Sequence, residues 1–252
     1  MSHVTNGYYP ERISVMTKKM ADSCPKSKNL VIFSLDGLEE THNKIRKNEK
    51  SWEKIWECFE QLKKNRLIKT RIITVIHKDN FNEILPLMEI VKKNGADFHS
   101  VILLRGNPID PNTVLPSMED LNKISPKIFN ILENYDYGQN SLTAHFLKNY
   151  HRYMWKTSLE TIRKQKQIVP CLSGQSSLVI WGNGDVSSCE ELNPIGNIKD
   201  KNISEILKSR EFNNQVKSIK NKECHCTHNC AMLTSIFFNP KTWGNIVYQK
   251  KP

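Results

Sequence analysis

No run of about 18 apolar residues occurs in the 252-residue chain, so the sequence contains no candidate membrane-spanning helix. Its opening residues lack the charged start and apolar stretch of a secretory leader, and a cytoplasmic location with no membrane partner is expected. There is no sustained low-complexity tract. Base-stacking aromatic motifs are also absent, so the net charge of +11 has no matching nucleic-acid signature. The basic residues are scattered and often stand beside acids, as in Glu53-Lys54 and Glu60 with Lys63-Lys64, and nucleic acid is not an expected partner. What is present is enough apolar material, 38% of residues, to build a sizeable core in one or two domains.

The first half alternates strand and helix patterns. Leu30 to Phe33 is a continuous apolar run that predicts a strand buried on both faces. After Ser51, the residues Trp52, Ile55, Trp56, Phe59 and Leu62 recur at spacings of three and four, which predicts a helix with one core-facing stripe. A strand is predicted over Arg71 to Ile76, and a helix with Ile84, Leu85, Met88 and Val91 on one face, closed near Gly95. A further strand is predicted over Phe98 to Leu104. Val4 to Gly7 reads as a strand end, followed by a helix after Pro10. A unit that opens on a strand end suggests a truncated chain.

This recurrence predicts an α/β domain with a parallel sheet, whose C-terminal strand ends carry the ligand site. Those ends are Ser34 to Gly37, His77 to Asn80 and Arg105 to Pro108. From Ser117 to Lys166 the pattern is helical, broken near Tyr135 to Asn140. Beyond it, Leu178 to Trp181 and Val186 to Cys189 predict a hairpin. Its turn contains Asn183-Gly184, a pair suited to positive φ angles. Two short helices are predicted around 203–208 and 211–220, then an apolar tail.

The seven cysteines are an odd number, and five of them, Cys171, Cys189, Cys224, Cys226 and Cys230, fall in the last third of the chain. That argues for metal ligation rather than a disulfide framework. The hairpin supplies two thiols and the Cys-x-Cys-x3-Cys loop three more. Such a set suits zinc or an iron–sulfur cluster, and spacing does not choose between them. His225 and His228 keep a mixed Cys/His zinc site open.

The phrase Ser34-Leu35-Asp36-Gly37-x4-His42-x2-Ile45-Arg46 resembles the fourth-strand motif of radical SAM enzymes, and Thr5-Asn6-Gly7 resembles the end of their third strand. Cys171-x12-Gly184-x4-Cys189, Gly196-Asn197-Ile198 and Cys224-x-Cys226-x3-Cys230 together resemble their C-terminal SPASM or twitch extension. The resemblance implies a partial β/α barrel over residues 1–116, a helical connection over 117–167 and a small cluster-binding domain over 168–252. It implies S-adenosyl-L-methionine (SAM) at the strand ends, with Ser34, Asp36 and Arg46 as candidate contacts. His42 matches the motif in either a ligand or a loop-ordering role. It also implies one auxiliary 4Fe-4S cluster on Cys171, Cys189 and Cys230, with Cys226 or Cys224 as fourth ligand. Cys24 and Cys58 match nothing in the family, and Cys58 is expected to be a packing residue.

In that family the complete enzyme reduces SAM to a 5′-deoxyadenosyl radical, which abstracts a hydrogen from a substrate. The implied partners are a peptide, protein or small-molecule substrate and a ferredoxin or flavodoxin as electron donor. The CxxxCxxC motif that this chemistry needs is missing here. Cys226-x3-Cys230 is followed by Leu233 at the third position. No catalytic residue is therefore assigned, and the lone chain is not expected to cleave SAM. The rival reading is a non-catalytic zinc module that contacts nucleic acid through its basic surface.

Overall fold

The computed structural model describes residues 2–27, 29–135 and 141–248. It divides into two compact units, Met1–Leu104 with Ile109–Lys148, and Arg105–Pro108 with Asn149–Pro252. Among the described residues no helix is long and apolar enough to cross a membrane.

The first unit runs β1 (Ser2–Thr5), α1 (Pro10–Ser23), β2 (Asn29–Ser34), α2 (Glu39–Arg46), α3 (Ser51–Lys63), β3 (Ile68–Ile76), a 3-10 turn (Phe81–Glu83), α4 (Ile84–Lys93), β4 (Phe98–Leu103) and α5 (Met118–Glu133). Helix α6 (Ser141–Lys164) begins in this unit and ends in the second. The expected break near Tyr135 to Asn140 falls largely outside the described residues. The four strands are parallel and lie in sequential order, β1-β2-β3-β4. Each crossover carries at least one helix, which is what joining parallel neighbours requires.

One face of the sheet is sealed. Val31, Phe33, Ile68 and Ile72 pack with Ala21 of α1, Ile55, Cys58, Phe59 and Leu62 of α3, and Leu87 and Val91 of α4. Edge-to-face aromatic pairs run from Phe33 to Phe59 (5.7 Å) and from Phe59 to Trp56 (5.4 Å). The opposite face, with Leu30, Ile32, Ser34, Ile73 and Val75, is only half-buried. The continuous run Leu30 to Phe33 is thus buried on one side, because the helix layer lies over only that face. Strand β3 starts three residues earlier than its apolar pattern implied. Asp97 accepts hydrogen bonds from the Thr70 backbone N–H (2.8 Å) and the Lys69 ammonium (2.7 Å), which draws that segment into the sheet. Gly7 has φ +70°, and a Cβ there would sit 2.7–2.8 Å from Ile55, so only glycine lets the β1 end pass α3 this closely.

The second unit contains a three-stranded antiparallel sheet, β5 (Val179–Ile180), β6 (Asp185–Ser187) and β7 (Gly196–Asn197), and four short helices: α7 (Ile203–Lys208), α8 (Arg210–Lys220), α9 (Asn229–Phe237) and α10 (Pro240–Val247). The hairpin turn differs from the expected pair of positive φ angles. Gly184 alone takes one (φ +98°), while the Gly184 N–H donates to the Trp181 carbonyl (2.8 Å). This is a three-residue loop with glycine at the left-handed position. A Cβ at Gly184 would meet Asn197 Oδ1 at 2.6 Å.

Phe59→Ala is expected to lower the stability of the first unit by about 3–5 kcal/mol, the usual cost of removing a buried phenyl group. Urea unfolding followed by the fluorescence of the neighbouring Trp52 and Trp56 measures it. The exposed Cys24→Ser should change stability by less than about 0.5 kcal/mol.

Candidate functional site

At the C-terminal ends of β2 and β3 in the first unit, a polar network orders the chain. Asp36 is buried and both its carboxylate oxygens are engaged. Oδ1 accepts from the Val75 N–H (3.1 Å) and Oδ2 from Arg46 Nη2 (2.5 Å). Arg46 Nη2 also reaches the Ser34 carbonyl at 3.4 Å. Ser34 is the last residue of β2 and is half-buried. The structure therefore brings Ser34, Asp36 and Arg46 together, with Asp36 anchoring the guanidinium.

His42 is fully buried one turn into α2. Its Nδ1 accepts from the Asp36 N–H (3.1 Å), which leaves Nε2–H to donate to Ser51 Oγ (3.1 Å). Burial pushes its pKa down to about 4, with nearby Asp36 opposing and Arg46 adding to the shift. A neutral imidazole with both nitrogens used orders the loop and leaves no ring nitrogen for a ligand. Asn6, at the β1 end, is exposed and accepts from the Tyr8 N–H.

Two further residues hold this rim: Asn80, from the expected strand end His77 to Asn80, and Glu83, which the sequence pattern did not single out. Asn80 is fully buried, donates from Nδ2 to the Asp36 and Val75 carbonyls (2.8 Å each) and accepts from the His77 N–H (2.9 Å). Glu83 accepts from the Leu38 N–H (2.7 Å) and from Thr41 Oγ1 (2.6 Å), capping α2 from another part of the chain. Gly37 leaves room for this, since a Cβ there would sit 2.9 Å from the Glu83 carboxylate. The third predicted strand end, Arg105 to Pro108, groups with the second unit. There Arg105 donates to Glu191 (2.6 Å) and Glu190 (2.9 Å), and His228 Nε2 stands 3.3 Å from Glu190.

The second unit holds a cavity of about 310 Å³. Cys171, Cys189, Cys224 and Cys226 line it, with apolar wall from Ile168, Ile219, Ala231 and Ile236. Cys230, the second residue of α9, is exposed and does not line it. Burial raises the thiol pKa of Cys189, Cys224 and Cys226, and the charge of nearby cysteines adds to each shift. Cys226 is pushed up to about 11. Each thiol thus lies within electrostatic reach of another. Among the described residues no group of three or more His, Cys, Asp or Glu side chains is arranged to hold a metal ion as it stands. Gln167 also lines the cavity, and its carboxamide bonds the backbone of both Cys171 and Cys224. No sequence pattern marks it, because a single glutamine carries no spacing signal.

Residues 171–231 match the family model of SPASM, an iron-sulfur cluster-binding domain. All five candidate ligands lie inside the SPASM segment. Over 86% of its length, the chain's fold is similar to that of three solved structures. These are native anSMEcpe with bound AdoMet and Cp18Cys peptide (21% identity, TM-score 0.59), native anSMEcpe with bound AdoMet and Kp18Cys peptide (21%, 0.56), and native anSMEcpe with bound AdoMet (20%, 0.53). The chain spans 59–60% of the length of those structures. No curated protein matches it.

His42 and the fully buried His99, whose pKa burial lowers to about 3, are expected to stay neutral in the folded protein well below pH 6. The unfolded chain binds their protons near pH 6.5, so their contribution to stability is complete above that pH. It is lost as the pH falls toward the folded values. NMR titration of the imidazole signals checks this. A His42 midpoint near 6.5 in folded protein would contradict it.

Proposed function

We propose that this chain is the strand-end and cluster-binding portion of a radical SAM/SPASM enzyme that modifies a peptide or protein. The observation that carries the reading is the convergence of four thiols on one cavity within a segment that matches an iron-sulfur cluster-binding domain. The donor set fits an auxiliary 4Fe-4S cluster on Cys171, Cys189, Cys224 and Cys226. In such a cluster each iron takes one cysteine thiolate, and the four thiols that line the cavity supply that set. Cys230, exposed at the start of α9, is left out of the set. When bound, such a group supplies one-electron transfer or a docking point for substrate.

At the rim, Ser34 Oγ and the guanidinium N–H groups of Arg46 that Asp36 leaves free are the proposed SAM contacts. A hydroxyl suits the ribose and an arginine suits the methionyl carboxylate. Asp36 contributes by fixing Arg46. The similar folds solved with bound AdoMet support this reading, and two of them also hold peptides, which supports a peptide substrate. A ferredoxin or flavodoxin is the proposed electron donor. SAM cleavage needs three further thiolates in a CxxxCxxC arrangement that this sequence does not contain.

Anaerobic reconstitution is expected to yield about four irons and four sulfides per chain. Serine at Cys171, Cys189, Cys224 or Cys226 should lower the iron content sharply, and Cys230→Ser should leave it unchanged. A colourless protein with stoichiometric zinc would overturn the proposal. Arg46→Ala is expected to weaken SAM binding, measured by calorimetry, about tenfold, the effect of one charge-assisted contact.

A further inference from the structure

Gln167 lies three residues beyond the end of α6 and is half-buried against the cysteine cavity. Its side chain is unusually well used. Oε1 accepts from the Cys171 N–H at 3.1 Å. Nε2 donates to the Cys224 carbonyl at 2.9 Å and to the Ile219 carbonyl at 3.1 Å, and it stands 3.8 Å from Cys224 Sγ. One carboxamide thus joins the hairpin-side segment carrying Cys171 to the loop carrying Cys224 and Cys226. Those segments lie more than fifty residues apart in sequence and share no regular hydrogen-bonding ladder.

The chemistry of the side chain fits this position closely. A glutamate of the same shape has no N–H to donate. A methionine of similar length has neither donor nor strong acceptor. An asparagine is one methylene short of spanning the two segments. Nε2 carries two N–H groups for three acceptors, so one N–H is shared with Cys224 Sγ, and this has a further consequence. A hydrogen-bond donor beside a cluster thiolate stabilises the more negative, reduced state and raises the reduction potential.

We propose that Gln167 is a positioning residue for the auxiliary cluster: it joins the two ligand-bearing segments and, through its N–H at Cys224 Sγ, sets the cluster's potential. This inference rests on the cluster reading given above. A bare structural tie would be met by any side chain that held the segments together. A potential-setting role additionally requires the donor at sulfur.

The test uses the full chain, reconstituted anaerobically, as wild type, Gln167→Met and Gln167→Glu. Iron and sulfide content, the midpoint potential by EPR-monitored titration, and hyperfine coupling to side-chain ¹⁵N-labelled glutamine are measured. The wild-type cluster is expected to show ¹⁵N coupling, which both variants lose. Their midpoints shift to more negative values, further for Glu, which adds charge as it removes the donor. If the variants take up less iron while their circular dichroism matches wild-type apoprotein, the joining role is supported. The ¹⁵N coupling in wild type then decides the role at sulfur. A wild-type cluster without that coupling, or variants with full iron and unmoved midpoints, would overturn the inference. Wild-type protein that forms no cluster would instead overturn the functional reading.

Discussion

Four thiols face one cavity, and three of them, Cys189, Cys224 and Cys226, do not ionise readily there. Burial and mutual repulsion hold three of them above the ordinary thiol range. Burying four thiolates together is tolerable only if positive charge sits among them. The second unit also rests on buried residues of α6 such as Trp155 and Leu159, but its other elements are short. Its strands are two or three residues long, and its own helices α7 to α10 run six to eleven residues. Elements that short are marginal by themselves. In the proposed cluster-bound state, the unit draws folding energy from ligation of the metal.

The first unit follows a different logic. Its core is a conventional apolar layer between sheet and helices, and its strand-end rim is a polar network. Asp36, His42, Asn80 and Glu83 each place a side chain against backbone groups of a neighbouring segment. Satisfied networks of this type rigidify the loops they join. Arg46 is the outcome: a guanidinium held at the strand end by a buried carboxylate, with donors to spare. The residues that fix the rim outnumber those proposed to touch a ligand.

The parts of the fold legible in the sequence were those written in local periodicity. The stripe from Trp52 to Leu62 became α3, Cys58 packed within the core as expected, and the apolar runs became β2, β3 and β4. Helix α2 was not legible as a helix, since Leu38 at its N-cap offers no side-chain acceptor and the cap comes from Glu83, 45 residues away. The start of β3 depended on Asp97, likewise distant. In the Cys-x-Cys-x3-Cys loop, spacing suggested a group of thiols but not which of them line the cavity. That was decided by where α9 begins, which leaves Cys230 on its exposed side. Long-range polar partners are invisible to period and spacing, and both sites depend on them.

Crystals grown anaerobically from reconstituted protein, with anomalous diffraction recorded at the iron edge, test the central claim most directly. The account calls for four closely spaced iron atoms in the cavity, bonded to Cys171, Cys189, Cys224 and Cys226, with the Cys230 sulfur free. A single metal ion there, or iron held by Cys230 in place of one of those four, would contradict it.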